Sequence, residues 1–116
     1  MIDALVMLAA ESIDQGAWID KYRVVTDELA LDFDHAFGLV PALVEAGLLD
    51  AEVLPDLEAI DETFTAMSGG QNAERWSITA LASDPGWIMA RETARRVLVL
   101  LIGEWHRPLP DGGVIR

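Results

Sequence analysis

The sequence predicts an all-α protein, a compact single domain built as a bundle of about five to six helices. Its apolar residues recur at spacings of three and four, which places side chains on one face of an α-helix. Cysteine is absent, so neither a disulfide nor a Cys-zinc site holds the fold. A chain of 116 residues, 52% of them hydrophobic, is large enough to form a core without either. We expect the helical domain to cover residues 1–106 and a loosely ordered tail, rich in proline and glycine, to cover 107–116.

Two amphipathic helices are predicted at the N-terminus. The first begins near Ile2, and Gly16 is expected to end it. Its apolar run has no basic leader region and is too short to span a bilayer, so we expect neither a signal peptide nor a membrane span, and a cytoplasmic protein. Trp18, Tyr22 and Leu29 then share one helical stripe, which predicts the second helix.

The third helix is predicted to begin at an aspartate. Asp32 or Asp34 is the expected N-cap, because a short carboxylate can accept the free N–H groups of a first helical turn. Alternating apolar residues also allow a short extended piece over residues 28–33, although a helix is favoured. Pro41 should kink or split the helix, because an interior proline removes a backbone hydrogen bond.

Turn chemistry marks the next two helices. Asp50 and Pro55 predict a helix start, and the run of Ser, Gly and Gly at 68–70 predicts its end. Asn72 is expected to cap a short helix that contains Trp76.

The last helix is predicted to run from about residue 86 to residue 104. Asp84 followed by Pro85 is typical of an N-cap with proline in the first helical position. Residues 97–102 are apolar on every side, so this stretch is predicted to lie at the centre of the bundle.

Four tryptophans are many for a chain of this size, and large aromatic side chains serve cores and binding sites alike. Trp18 and Trp87 lie on predicted inner stripes and are expected in the core. Trp76 and Trp105 stand nearer to helix ends, so either partial exposure or burial is open for them.

The net charge of -12 belongs to the middle of the chain. Residues 24–74 hold twelve acidic residues and no Lys or Arg, while residues 1–23 carry a net -2 and residues 75–116 a net +2. A solvated helix face is the ordinary reason for such charge, but mixed-sign pairs would stabilise that face better. Nucleic acid and anionic membranes carry the same sign, so direct binding to either is not expected. A basic protein partner is expected instead.

A metal-dependent enzyme is an alternative interpretation of the acidic residues. Glu28, Asp32 and His35 share one helical stripe and could hold a metal ion. The carboxylates that could complete such a site are Glu58, Asp61 and Glu62. A carboxylate-metal bundle or a magnesium-dependent nucleotide pyrophosphatase would use such a set of carboxylates. A pyrophosphatase also needs cationic side chains that bind the triphosphate, but the arginines of the last helix are more typical of ion pairs along a helix surface. The preferred interpretation assigns no catalytic residue, no metal ligand and no cofactor.

The order of several features along the chain resembles one known group. The features are a leading helix with Leu5, Leu8 and Ile13, the aromatic pair Trp18 and Tyr22, the acids Asp27, Glu28, Asp32 and Asp34, and a closing helix with Trp87, Arg91 and Ala94. This order resembles the small acidic all-helical immunity proteins of bacterial toxin systems, in particular those similar to colicin D immunity protein. The resemblance implies a non-enzymatic inhibitor whose acidic surface blocks the basic cleft of a cognate nuclease toxin.

Seven carboxylates are the expected partner-binding residues. They are Asp27, Glu28, Asp32, Asp34, Asp56, Asp61 and Glu62. Carboxylates on a rigid helical surface can occupy a cleft built for phosphates and speed association with it. A third interpretation is a homodimeric structural module without a foreign partner.

Overall fold

Helices provide all regular secondary structure in residues 1–110, the part of the chain that the computed structural model describes. This part holds seven α-helices and two 3-10 helices, so the predicted all-α class is confirmed and the predicted five to six helices are too few. The α-helices are α1 (Ile2–Ala9), α2 (Ser12–Tyr22), α3 (Asp27–Gly38), α4 (Val40–Glu45), α5 (Leu54–Ala66), α6 (Ala80–Ser83) and α7 (Pro85–Ile102). The first 3-10 helix, Ala51–Val53, precedes α5, and the second, Gly70–Trp76, follows it.

Helix α1 lies inside the molecule. Residues 4–10 are all buried, as expected for a helix that is apolar on every side. Helix α7 packs along α1, α5 and α6, and α3 packs against both α1 and α5. The acid-rich helices α3 and α5 are therefore neighbours that share the core and expose their outer faces.

The end of α1 differs from the prediction. The helix stops at Ala9, and Gly16 lies inside α2, so the predicted end at Gly16 is wrong. Ala10 and Glu11 adopt extended backbone, with ψ angles of 155° and 149°, and this two-residue break separates α1 from α2.

The predicted second helix is in fact parts of two helices. Helix α2 ends at Tyr22, and Arg23 adopts the left-handed conformation with φ of 52°. Leu29 belongs to α3. The stripe from Trp18 to Leu29 therefore crosses a turn that hydrophobic periodicity does not reveal.

Helix α3 begins earlier than predicted. Asp32 and Asp34 lie within the helix, so both predicted N-caps are wrong, and residues 28–33 are helical rather than extended. Thr26 stands at the N-cap position, although its side chain makes no capping hydrogen bond to the first turn. The predicted split at Pro41 is confirmed: α3 ends at Gly38, and Pro41 occupies the first turn of α4, where its missing N–H costs nothing.

The segment around α5 follows its turn chemistry. Asp50 Oδ1 accepts a 2.9 Å hydrogen bond from the Glu52 N–H and caps the first 3-10 helix, and α5 ends before residues 68–70 as predicted. Asn72 does not cap a following α-helix. Its amide instead donates to the carbonyl of Ser68 at 2.9 Å, just beyond the end of α5, and the predicted short helix is divided into the second 3-10 helix and α6.

The start of α7 is confirmed. Asp84 is the N-cap, and its Oδ1 accepts a 2.7 Å hydrogen bond from the Gly86 N–H. Pro85 is the first helical residue, and the helix ends at Ile102 because Gly103 takes the left-handed conformation with φ of 80°.

The stretch 97–102 lies only partly in the centre. Val97 and Leu98 are fully buried, but the other side of the helix is open, so the prediction for the whole stretch is wrong. The exposed members are Val99, Leu100 and Ile102. Since α1 occupies the central position, α7 lies beside it and keeps one face in solvent.

The predicted burial of Trp18 and Trp87 is confirmed, and the exposure of the other two tryptophans, which the sequence left open, is now given by the structure. Trp18 and Trp87 are buried in the core, whereas Trp76 and Trp105 are partly buried. The Trp18 Nε1–H donates a 2.8 Å hydrogen bond to the carbonyl of Pro110, in the predicted tail. The rest of that tail, residues 111–116, lies outside the described residues. Within the described chain, no helix combines the length and the apolar character needed to cross a membrane.

Candidate partner-binding groove

An open groove of about 710 Å³ runs between α3 and α5 and is bordered by the second 3-10 helix. We call it the acidic groove. Its lining includes Asp27, Leu31 and Asp34 from α3, Asp61 and Thr65 from α5, and Trp76. Three of the seven carboxylates predicted from the sequence are therefore brought together on one concave surface.

The α3 wall is built by helical periodicity. Asp27, Leu31 and Asp34 are spaced i, i+4 and i+7, so they lie one above the other on the same face. The adjacent face of α3 buries Leu29 and Phe33, which fixes the direction in which the first three point. An exposed leucine thus stands between two aspartates along this wall.

Aromatic rings form the floor. The Phe33 and Phe64 rings meet edge to face, with centroids 6.3 Å apart, and the Phe64 and Trp76 centroids are 6.0 Å apart. The Trp76 Nε1–H donates a 2.8 Å hydrogen bond to the Met67 carbonyl, which holds the indole in place. The floor is consequently apolar and rigid, and its polar N–H is already satisfied.

The groove is negative without local compensation. Among its described lining residues there is no Lys, Arg or His. Asp27, Asp34 and Asp61 form no ion pair with any residue in 1–110. Val25 and Leu31, at the edge, are 63% and 51% exposed. Carboxylates around an apolar surface attract a ligand that is both cationic and apolar.

The other predicted carboxylates have different surroundings. Glu28 and Asp32 lie on α3, and Glu62 lies on α5, but none of them lines the acidic groove. Asp56 is held by Arg96 of α7 in a bidentate ion pair, with both N–O distances 3.1 Å. This hydrogen bond raises the pKa of the Arg96 guanidinium. The charge of Asp56 is therefore already balanced within the protein.

The carboxylate and histidine groups proposed for a metal do not converge. Within the part of the chain that the structure describes, no three His, Cys, Asp or Glu side chains lie close enough to hold an ion. The stripe of Glu28, Asp32 and His35 and the acids of α5 thus stay separate. The metal-enzyme alternative has no assembled site to support it in residues 1–110.

The apolar part of the groove could not be recognised from the sequence. The available indication was Leu31, an apolar residue that does not share the helix face of Leu29 and Phe33. A helix that starts at Asp32 or Asp34 leaves Leu31 outside the helix. Trp76 was predicted near a helix end, without any indication that it contacts Phe64 or that Phe64 contacts Phe33.

The chain was compared with protein-family models, curated proteins and solved structures. No protein-family model, curated protein or solved structure matches it. The resemblance to colicin D immunity-like proteins therefore stays a prediction.

Proposed function

We propose that this chain is a non-enzymatic binding protein that holds a basic surface of a partner protein in the acidic groove. The observation that carries the proposal is that Asp27, Asp34 and Asp61 border an apolar floor with no cationic side chain among the described lining residues. A groove of this kind serves two purposes. Its charge accelerates encounter with a basic partner. The exposed side chains of Val25 and Leu31, with the partly exposed Trp76, supply apolar area whose burial slows dissociation.

The resemblance to immunity proteins gives the partner a class. A nuclease toxin binds phosphates with a basic cleft, and a rigid acidic surface can cover that cleft. On this proposal the protein is a cytoplasmic antitoxin in a bacterial cell, and the bound toxin is inactive because its substrate cannot enter. The protein itself needs no catalytic residue and no cofactor for this task.

Affinity capture with matched variants tests the proposal. The wild-type chain, the groove variant D27N/D34N/D61N and the control variant D20N/E45Q/E104Q are immobilised and exposed to extract of the source cell at low salt. Both variants lose three carboxylates, but the control residues are exposed positions that do not line the acidic groove. Bound protein is released with high salt and assayed for nuclease activity.

The wild-type chain and the control variant should both capture a basic protein. The nuclease activity of the released protein should fall to zero when one equivalent of the wild-type chain is added to it. The groove variant should capture little of it. Equal capture by all three chains would show that the acidic groove is not the binding site.

A homodimer is a second candidate, favoured by one apolar surface. A hollow of about 370 Å³ at the start of α1 and the end of α7 is lined only by apolar residues, among them Ile2, Leu43, Leu48 and Ile102. Two copies of a chain with a net charge of -12 repel each other least where neither presents a carboxylate. Sedimentation at several concentrations tests this: a dimer that Leu48→Glu converts to monomer supports it, and a monomeric wild type excludes it.

A further inference from the structure

Each wall of the acidic groove presents side chains from one face of a helix. On α3, Asp27, Leu31 and Asp34 are spaced i, i+4 and i+7, and on α5, Asp61 and Thr65 are spaced i and i+4, with Ser68 just beyond the end of that helix. The first and last residues of the α3 set are separated by about 10 Å along the helix axis. The groove thus presents two carboxylates on one wall, an exposed apolar side chain between them, and a third carboxylate on the other wall.

This spacing distinguishes a helical ligand from an extended one. In a helix, residues i and i+7 point to the same side and are about 10 Å apart, which matches Asp27 and Asp34. In a strand, residues on the same side are separated by about 6.6 Å or 13 Å, and the residues about 10 Å apart point to opposite sides. The distance between the two aspartates therefore matches residues i and i+7 of a helix more closely than any same-side pair of residues in a strand.

The shape of the groove agrees with a helical ligand. It is open to solvent, and it lies along the seam between two packed helices, where a third helix can pack its side chains between theirs. The exposed side chain of Leu31 and the partly exposed ring of Trp76, above the buried rings of Phe33 and Phe64, offer the contact surface for one large apolar side chain.

We propose that the acidic groove takes an amphipathic α-helix of the partner, with Lys or Arg at positions i and i+7 and a large apolar residue at i+3 or i+4 between them. This inference rests on the proposed function, because it names the element of the basic partner that enters the groove. The two cations pair with Asp27 and Asp34, and the apolar residue packs on Leu31 and the aromatic floor.

Two synthetic peptides test the inference by calorimetry at low salt. Both form basic helices of the same composition and helix content, with Lys at i and i+7. The in-register peptide has Leu at i+4, on the side of the two lysines, and the out-of-register peptide has that Leu at i+2, on a different face. We expect the in-register peptide to bind the wild-type chain at least tenfold more tightly.

A pair of variants of the protein completes the test. Leu31→Ser should lower the affinity for the in-register peptide to that of the out-of-register peptide. Leu100→Ser, which changes a helical leucine that is 60% exposed and lies outside the acidic groove, should leave both affinities unchanged. Circular dichroism and a melting curve confirm that each variant is folded.

The failures of this inference and of the proposed function have different signatures. If both peptides bind equally and the groove variant D27N/D34N/D61N loses both, the acidic groove binds basic segments but does not select a helix in register, and the inference is wrong. If neither peptide's binding depends on Asp27, Asp34 and Asp61, the inference is wrong as well, and the capture experiment alone decides the proposed function.

Discussion

The Arg91 side chain donates a hydrogen bond from Nη2 to the Gln15 Oε1 at 3.1 Å, and this pair closes the C-terminal end of the buried helix α1. The Gln15 Nε2 donates to the carbonyls of Met7 at 2.8 Å and Leu8 at 3.1 Å. The Arg91 Nε donates to the carbonyl of Ala10 at 3.0 Å. Carbonyls in the last turn of a helix have no backbone partner, so a buried helix end needs donors from elsewhere.

Arg95 completes this arrangement. Its Nε donates to the carbonyl of Ala9 at 2.8 Å, and its guanidinium lies 3.7 Å above the Trp105 ring. A third bond of Arg91, to the carbonyl of Leu81 at 2.6 Å, ties the same cluster to α6. Two positive side chains at the negative end of α1 also stabilise it electrostatically. Arg91 and Arg95 of α7 therefore hold the fold together through hydrogen bonds to backbone carbonyls and to Gln15.

Removal of the side-chain amide of Gln15 should lower the stability of the protein by a large amount for a single substitution. Gln15→Leu keeps much of the side-chain volume but leaves the Met7 and Leu8 carbonyls buried without a donor. Since Gln15 is 0% exposed, water cannot replace the lost bonds. We expect the free energy of unfolding, measured by urea denaturation, to fall by about 1–3 kcal/mol. Gln71→Leu, at an exposed position, is the matched control, and an equal effect of both substitutions would contradict this account.

Gln15 and Arg91 should be energetically coupled. Arg91→Met removes the donors to Ala10, Leu81 and Gln15, and burial already lowers the pKa of this guanidinium, with a further lowering from nearby Arg95. The double variant with Gln15→Leu should lose less stability than the sum of the single losses, by about 0.5–3 kcal/mol. Urea denaturation of the four chains measures this coupling, and strict additivity would show that the two side chains act independently.

Asp84 should make stability depend on acid pH. The Arg75 Nε lies 2.9 Å from Asp84 Oδ2, and this hydrogen bond, assisted by the Gly86 N–H, holds the pKa of the Asp84 carboxyl below its ordinary value of 3.8 although burial opposes it. A carboxyl whose pKa is lower in the folded chain stabilises the fold above the unfolded pKa and loses that effect as the pH falls through the folded pKa.

The comparison of wild type with Asp84→Asn tests that dependence. The variant should be less stable at neutral pH, and the difference should shrink as the pH falls below about 4, where the unfolded carboxyl becomes protonated. Thermal melts across pH 2–7 measure it, with Asp20→Asn, at an exposed position, as the control. If the difference in stability between the two chains stays constant down to the lowest pH, the ionised form of Asp84 does not stabilise the fold.

Gly86 should not tolerate a side chain. A methyl group on its Cα would overlap the sulfur of Met67 and crowd Asp84 Oδ1 at 3.0 Å. Gly86→Ala should therefore lower the free energy of unfolding by about 1–3 kcal/mol. Gly38→Ala is the control, because Gly38 is likewise a residue of an α-helix, the last one of α3, and has no atom within 4 Å of the added carbon. The control should be neutral or stabilising, and a Gly86→Ala chain of unchanged stability would contradict the close packing.

The boundaries that were predicted correctly are those that local chemistry determines. Pro41 splits two helices, residues 68–70 end α5, and Asp84 with Pro85 starts α7. The end of α1 was missed because it depends on Arg91, which is 76 positions from Gln15 in sequence. A tertiary hydrogen bond leaves no local signature.

The candidate site was predictable in charge but not in shape. The absence of any base in residues 24–74 led to Asp27, Asp34 and Asp61, which line the acidic groove. It led equally to Asp56, whose partner Arg96 is 40 positions away in sequence. Composition locates a charged segment, whereas only the packing of the helices separates carboxylates that are balanced internally from those that are not.

That distinction predicts different effects on binding for Asp34 and Asp56. Each substitution to Asn removes one carboxylate, but Asp34 lines the acidic groove without an ion-pair partner in residues 1–110, whereas Asp56 is paired with Arg96. Asp34→Asn should slow association of the in-register peptide several-fold at low salt and have little effect at high salt, because screening already removes that attraction. Asp56→Asn should slow it less, and because an exposed ion pair contributes little, it should also leave stability nearly unchanged. Stopped-flow association rates at two salt concentrations measure both variants. Equal slowing by the two would mean that the overall charge of the chain, and not the acidic groove, attracts the ligand.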